Sequence, residues 1–383
     1  MQNLRISKVI PGLAVLVVLT GLVLLFSTRG RQKSSEQAVP PEPAGLQAPS
    51  SSPHPLRNAE VTRSVPETQD LPMVDFDWRQ VLTNSAVPPK LPREEVEKYL
   101  QRNGRRAASL LTAYRTLQDT NYLREAATNF PNDPRVQLSV LQRDVFPQER
   151  RKWLDLFKAS SPENPLANYL SARDYFKGGQ SALAVSELLE AAGKPAFKDY
   201  VMEFKLDEEE LNVAAGRSSL QARLSSSGWA QDLLPQLASL KSLAQDVAAL
   251  QQQYVGAGDS GSAENLARAG LMLASGLRSG DGDKFVIKAL VGNAIEAIML
   301  SPLDPNGSYD FLGGKSPNDR LAELKQQKAS LRTLRQATQD ALPNMTEAEL
   351  LSYTERQRLY GELEAMRWLQ QRGTPSNLPE GPR

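Results

Sequence analysis

Cysteine is absent from this chain of 383 residues, and histidine occurs once, as His54. The lack of cysteine excludes disulfides, thiolate nucleophiles and every zinc site that needs sulfur. His54 lies in a proline-rich segment, so the rest of the chain has no histidine base or Ser-His-Asp triad. Neither a GxxxxGK[ST] phosphate loop nor a GxGxxG dinucleotide motif occurs. We therefore expect no cofactor, no metal and no enzymatic activity.

The chain also has no excess of one charge, because its 45 Lys and Arg nearly balance its 44 Asp and Glu and the formal net charge is +1. Without a basic field the sequence disfavours nucleic-acid binding. Alternating runs of Val, Ile and Thr, which are typical of strands, are also lacking. The chain is long enough to bury a hydrophobic core, and we expect that core to be all-α.

A run without charge, VIPGLAVLVVLTGLVLLF from Val9 to Phe26, follows a short N-terminal tail, residues 1–8. Its 18 residues would span about 27 Å as a helix, which is close to the hydrocarbon thickness of a bilayer. Arg29 and Arg31 stand where a cleaved signal peptide would have small residues, so we favour an uncleaved transmembrane helix over 9–27. Positive charges flank both ends; we expect a single-pass cell-membrane protein whose body is extracytoplasmic.

Residues 28–91 are predicted to be a disordered Pro/Ser-rich linker, because 11 of the 26 prolines lie between Thr28 and Pro92. Near its end the stretch MVDFDWRQVL carries Phe76 and Trp78. Aromatic residues of this kind are usually buried in their own domain, so we expect docking on the body. Docking on a partner is the alternative.

Helical periodicity begins at Pro92, after which apolar residues from Val96 to Leu117 fall mostly three, four or seven apart and predict one helix. The segments PNDP at 131–134 and PENP at 162–165 then recur, with Pro195 at nearly the same interval. Each unit has room for two short helices and a turn. We therefore predict helical repeats over 92–200, a further helical region over 201–373 and a disordered tail over 374–383.

One unit has a more specific spacing of small residues, an aromatic and a turn glycine, namely Ala172, Tyr175, Gly179, Ala184, Leu188 and Ala191. This unit resembles a tetratricopeptide repeat (TPR), although Asn168 stands where the family's first-helix aromatic belongs and Tyr169 follows it. Tyr254, Gly258 and Ala263 repeat part of the spacing. The whole pattern also resembles membrane-anchored helical proteins of bacteria. The resemblance implies a TPR-like helical-hairpin solenoid.

In the TPR family the first helix of each unit lines the concave face. Carried over to the best unit, this implies a binding surface at Leu166, Tyr169, Arg173, Phe176 and Lys177. Arginine with aromatic residues suits an extended peptide or a C-terminal carboxylate. The alternative is that Tyr169 and Phe176 pack against the preceding unit.

Carboxylates are the remaining candidates for chemistry. DEEE at Asp207–Glu210 is interpreted as a solvated helix start, and Asp281 with Asp283 as a turn between helices. DPNGSYD at Asp304–Asp310 lacks the ligand ladder of an EF-hand and is interpreted as a turn rather than a calcium site. The apolar stretch 283–300 contains Lys288 and Glu296, which favours a buried core helix over a second membrane span.

These observations favour a membrane-anchored, TPR-like protein–protein interaction scaffold in a cell-envelope assembly, with a protein or peptide as its partner. Two alternatives stay open. One is a carboxylate-dependent enzyme acting on envelope polysaccharide, which would need a buried glutamate with a shifted pKa in a cleft. The other is a structural spacer without a specific ligand.

Overall fold

The structure is a computed structural model that describes residues 78–83, 88–194, 197–226, 229–279 and 285–373, all within the compact unit Met73–Arg383. These ranges contain helices and no strand, which confirms the predicted all-α fold. The α-helices are α1 (Trp78–Thr83), α2 (Arg93–Asn103), α3 (Ala107–Leu117), α4 (Thr120–Asn129), α5 (Pro134–Arg143), α6 (Arg150–Ser160), α7 (Leu166–Lys177), α8 (Ser181–Ala192), α9 (Val201–Ala214), α10 (Ser219–Ser225), α11 (Trp229–Gly256), α12 (Ser260–Gly276), α13 (Val286–Leu300), α14 (Pro317–Ala341), α15 (Glu347–Tyr360) and α16 (Glu362–Gly373).

The proline-bounded segments each contain two helices, α5 with α6 and α7 with α8. Pro134 occupies the first turn of α5, and the Asp133 side chain caps that turn by accepting hydrogen bonds from the N–H groups of Arg135 and Val136. α7 follows Pro165 directly. Proline and the cap therefore fix where these helices begin, as the spacing predicts.

The helix expected to run from Val96 to Leu117 is in fact two helices, α2 and α3. Gly104 ends α2 in the left-handed conformation, with φ 70°, and its N–H donates to the carbonyl of Leu100. Gly361 separates α15 from α16 within another continuous helical pattern, with φ 94° and ψ 165°, a different positive-φ conformation. Glycine adopts such angles without a Cβ penalty, so the apolar stripe continues while the backbone turns.

Residues 286–300 of the apolar stretch form α13, whose interior face packs against α11, α12 and α14. Lys288 is 1% exposed, and its Nζ lies 2.7 Å from Oδ2 of Asp199, which precedes α9. Glu296 is 3% exposed and pairs with Arg278 and Arg320. Both charges inside this helix are thus neutralised, which confirms a buried core helix.

Trp78 of α1 is 8% exposed and belongs to an apolar cluster with Leu220 of α10 and residues of α15 and α16. The remaining buried members of the cluster are Met345, Leu350, Tyr353 and Ala365. The expectation that Trp78 docks on its own body is therefore confirmed. Its partners are the last helices of the chain.

The predicted transmembrane helix (9–27), most of the linker (28–91), the tail (374–383) and Phe76 lie outside the described residues. Among the helices that are described, none is both long enough and apolar enough to cross a bilayer.

Candidate functional site

The predicted binding residues all lie on α7, a helix packed between α6, α8 and α11. Leu166 is 0% exposed and Tyr169 is 2% exposed, because this end of α7 is enclosed by its neighbours. Burial raises the pKa of Tyr169 above its usual range. These two side chains form part of the core and present no surface to a partner.

The other three predicted residues lie at the C-terminal end of α7. Arg173 reaches α11, where its Nη1 lies 2.7 Å from Oδ2 of Asp246. Burial raises the pKa of Asp246, and the charges of Arg173 and Lys177 oppose that rise. Phe176 is half-buried and Lys177 is exposed. The accessible part of the predicted site is therefore the last turn of α7.

Arg151 of α6 contacts the same end of α7, and the sequence did not predict it. Its guanidinium carbon lies 4.1 Å from the centre of the Tyr175 ring, and its Nη1 donates to Ser171 Oγ at 2.6 Å. Tyr175 is part of the TPR-like spacing, but nothing local in the sequence places Arg151 beside it. We call Arg151, Arg173, Tyr175, Phe176 and Lys177 the α7-end patch.

The electrostatics of the α7-end patch are unbalanced. Arg150 pairs with Asp174, at 2.7 Å, and Arg173 pairs with Asp246. Within the described ranges, neither Arg151 nor Lys177 has a carboxylate within ion-pair distance. Arg151 thus lies on the Tyr175 ring, and Lys177 is an exposed cation next in sequence to the half-buried Phe176. The patch can accept a carboxylate by hydrogen bonding and an apolar side chain by packing.

Next to the patch, a closed polar network joins α6, α7 and α8 at Glu187, which is 8% exposed. Its carboxylate accepts hydrogen bonds from Asn168 Nδ2, at 2.7 Å, and Ser171 Oγ, at 2.8 Å, and pairs with Lys158. Lys194 donates to Asn168 Oδ1 at 2.7 Å. Asn168, where the sequence departs from the TPR pattern, therefore serves this network. All its members are partnered, so we assign it to holding the three helices together.

The carboxylates at 207–210 do not form a solvated helix start, because they lie in the middle of α9. Glu208 is 9% exposed and its Oε1 lies 2.7 Å from Nε of Arg115 on α3. Asp207 faces Arg135, with Oδ2 and Nη1 3.6 Å apart. Burial raises the pKa of Asp207 to about 6, and the charge of Arg135 opposes this rise while Glu210 adds to it.

Burial raises the pKa of the half-buried Glu362, whose Oε2 accepts the N–H of Val286 at 2.9 Å. Glu296 is the least exposed glutamate among the described residues. Burial opposes its ionisation, but the hydrogen bonds and charges of Arg320 and Arg278 outweigh burial and hold its pKa below the usual value. A general acid needs the opposite shift. The two arginines make Glu296 a link between α13, α14 and the end of α12.

The remaining motifs are turns or lie outside the described ranges. Asp304 Oδ1 accepts the N–H of Asn306 at 3.0 Å, which is an Asx turn. Ser316 caps α14 by accepting the N–H of Asp319 at 3.1 Å. Across the described residues, no cluster of three or more His, Asp or Glu could hold a metal ion. Asp281 and Asp283 are not among them.

Comparison of the chain with known protein families, with curated proteins and with solved structures finds no match.

Proposed function

We propose that this protein is a membrane-anchored interaction scaffold that binds an acidic peptide segment of a partner in a cell-envelope assembly. The observation that carries the proposal is the α7-end patch, in which Arg151 lies on the Tyr175 ring and Lys177 is exposed next to Phe176, neither cation having an ion-pair partner among the described residues. Charged groups at an accessible surface next to aromatic rings are typical of peptide contacts. The TPR-like spacing of α7 and α8 supports the same class of function.

The preferred ligand is a segment with a carboxylate and a neighbouring apolar side chain. Arg151 has its ring contact with Tyr175 and its hydrogen bond to Ser171, so its guanidinium is already oriented. A preoriented guanidinium loses less entropy when it binds a carboxylate. Arg173 is paired with Asp246, so its charge is already neutralised and it is not expected to bind the peptide carboxylate.

The test is site-specific photo-crosslinking in cells from a reactive amino acid placed at Phe176. The full-length protein is expected to give an adduct that disappears in the charge-reversal variant Arg151→Glu with Lys177→Glu. The matched control is Lys152→Glu with Lys325→Glu, which reverses two exposed lysines outside the patch. An adduct that survives the patch variant, or is lost equally in the control, would contradict the proposal.

The side of the membrane is tested separately. We expect protease to digest a C-terminal tag in cells whose outer barrier is opened and whose inner membrane is intact. Protection of the tag would place the body in the cytosol and replace envelope partners with cytosolic ones. The alternative enzymatic function predicts release of soluble fragments from purified envelope polysaccharide, whereas a scaffold releases none.

A further inference from the structure

A groove separate from the α7-end patch lies between α15 and α16. It encloses about 300 Å³ and is lined by Arg356, Tyr360, Glu364, Arg367, Trp368 and Gln371. The Trp368 ring has the guanidinium carbon of Arg356 4.7 Å from its centre and that of Arg372 at 4.9 Å. Tyr360 is 62% exposed at the end of α15. The walls thus combine aromatic rings with guanidinium groups.

The groove carries a surplus of positive charge. Arg367 pairs with Glu364, and Arg372 lies 3.6 Å from a carboxylate oxygen of Glu349. Arg356 stacks on Trp368 and forms no ion pair with a carboxylate of the described chain. A segment that supplies carboxylates and one aromatic ring would therefore complement the groove in charge and in shape.

Such a segment immediately precedes α1. Trp78 is buried in the apolar cluster of α10, α15 and α16, and Trp368 and Leu369 pack against that same cluster. Trp368 is therefore shared between the cluster that holds Trp78 and the wall of the groove. The chain before Trp78 reads MVDFD, from Met73 to Asp77. Five extended residues reach about 17 Å, so this segment can reach a groove whose wall residue Trp368 packs against the cluster that holds Trp78.

We propose that residues Met73–Asp77 of this chain bind in the groove between α15 and α16. In an extended segment alternate side chains point to opposite sides, so Asp75 and Asp77 share one side and Phe76 takes the other. The carboxylates then face Arg356 and Arg367, and the Phe76 ring packs with the aromatic wall. This contact goes beyond the proposed scaffold function, because its ligand is a segment of the same chain and not a partner.

The absence of native cysteine makes the test direct. Val74→Cys is combined in turn with Tyr360→Cys and with Gln371→Cys in the full-length protein in detergent micelles, leaving Asp75, Phe76 and Asp77 intact. The matched control joins Val74→Cys to Leu183→Cys, an exposed position on α8. Under mild oxidation we expect at least one groove pair to form an intramolecular disulfide about tenfold faster than the control pair, because binding raises the local concentration of the thiols.

Charge reversal distinguishes binding of residues 73–77 in the groove from nearness of the two cysteines without binding. Arg356→Glu with Arg367→Glu, added to the reactive pair, is expected to slow its disulfide formation to the control rate while circular dichroism shows an unchanged helical content. Three outcomes overturn the proposal. They are a groove pair no faster than the control, a disulfide formed between two copies, and a rate that charge reversal leaves unchanged. Because none of these variants alters the α7-end patch, the result is independent of the proposed partner binding.

Discussion

Replacing Gly292 of α13 by alanine is expected to destabilise the protein, although alanine is the better helix former. The backbone of α13 approaches α12 closely at this position. A Cβ at residue 292 would lie 2.8 Å from the carbonyl oxygen of Ala274 and 2.9 Å from Cγ of Arg278. Real Cβ atoms do not approach other heavy atoms this closely. The substitution therefore forces α12 and α13 apart.

The magnitude follows from two opposing effects. Alanine stabilises a helix interior by about 1 kcal/mol relative to glycine, whereas overpacking a core costs about 1–3 kcal/mol. The Ala274 oxygen belongs to the backbone and cannot rotate away. Arg278 can move only by disturbing its hydrogen bond to Asn293, which is 2.9 Å long, and its pairing with Glu296. The overpacking cost therefore lies at the upper end of its range, and we expect the free energy of unfolding to fall by about 2 kcal/mol after the alanine gain is subtracted.

Urea unfolding followed by circular dichroism measures this loss. The matched control is Gly261→Ala near the start of α12, where the closest atom to a new Cβ is Asp259 Oδ1 at 3.8 Å. This control is expected to match the wild type or to gain up to about 0.5 kcal/mol. If Gly292→Ala is as stable as Gly261→Ala, α12 and α13 do not approach each other closely at Gly292.

Three further predictions concern buried groups. Asp207→Asn is expected to stabilise the protein at pH 8 by about 1–3 kcal/mol and to have little effect at pH 4, because the raised pKa makes ionisation of Asp207 destabilising as the pH rises through about 6. The control is unfolding at both pH values of Glu163→Gln, at an exposed position between α6 and α7. Glu296→Gln is expected to lower the free energy of unfolding by about 2–4 kcal/mol at pH 7. This difference shrinks in acid, because the wild-type carboxylate becomes protonated below its lowered pKa. The same unfolding series measures it. Trp78→Ala removes about 1.5–3 kcal/mol of stabilisation from apolar burial, so we expect protease to cut between α1 and α2 about tenfold faster. An unchanged cleavage rate would contradict the docking of α1.

The helices and their pairing could be predicted largely from the sequence. Proline at 134 and 165 and the Asp133 cap are local signals, and they place the starts of α5 and α7 correctly. The breaks at Gly104 and Gly361 could not be predicted with the same rules, because an isolated glycine is also tolerated inside a helix. The apolar pattern continues across both breaks and hides them.

Two of the five predicted binding residues, Leu166 and Tyr169, are buried, for a reason that the sequence does not show. Whether a residue of α7 lies in a groove or in the core depends on which helices cover it, and α11 comes from far along the chain. Arg173 meets Asp246 through that contact, whereas Tyr169 is buried between neighbours that no local pattern predicts. The stacking of Arg151 on Tyr175 is likewise a contact between helices. The residue types of α7 suggested a peptide ligand from the sequence alone. Which of these residues are accessible depends on the packing of α6, α8 and α11 against α7.

The most direct test of the scaffold function is a peptide-display selection against the full-length protein in detergent micelles. Recovered peptides are then titrated against the wild type and against Arg151→Glu with Lys177→Glu. We predict enrichment of peptides that carry a carboxylate next to an apolar or aromatic residue, with binding weakened at least about tenfold in the variant. Peptides without a charge preference, or peptides that bind both proteins equally, would show that the α7-end patch is not the binding surface.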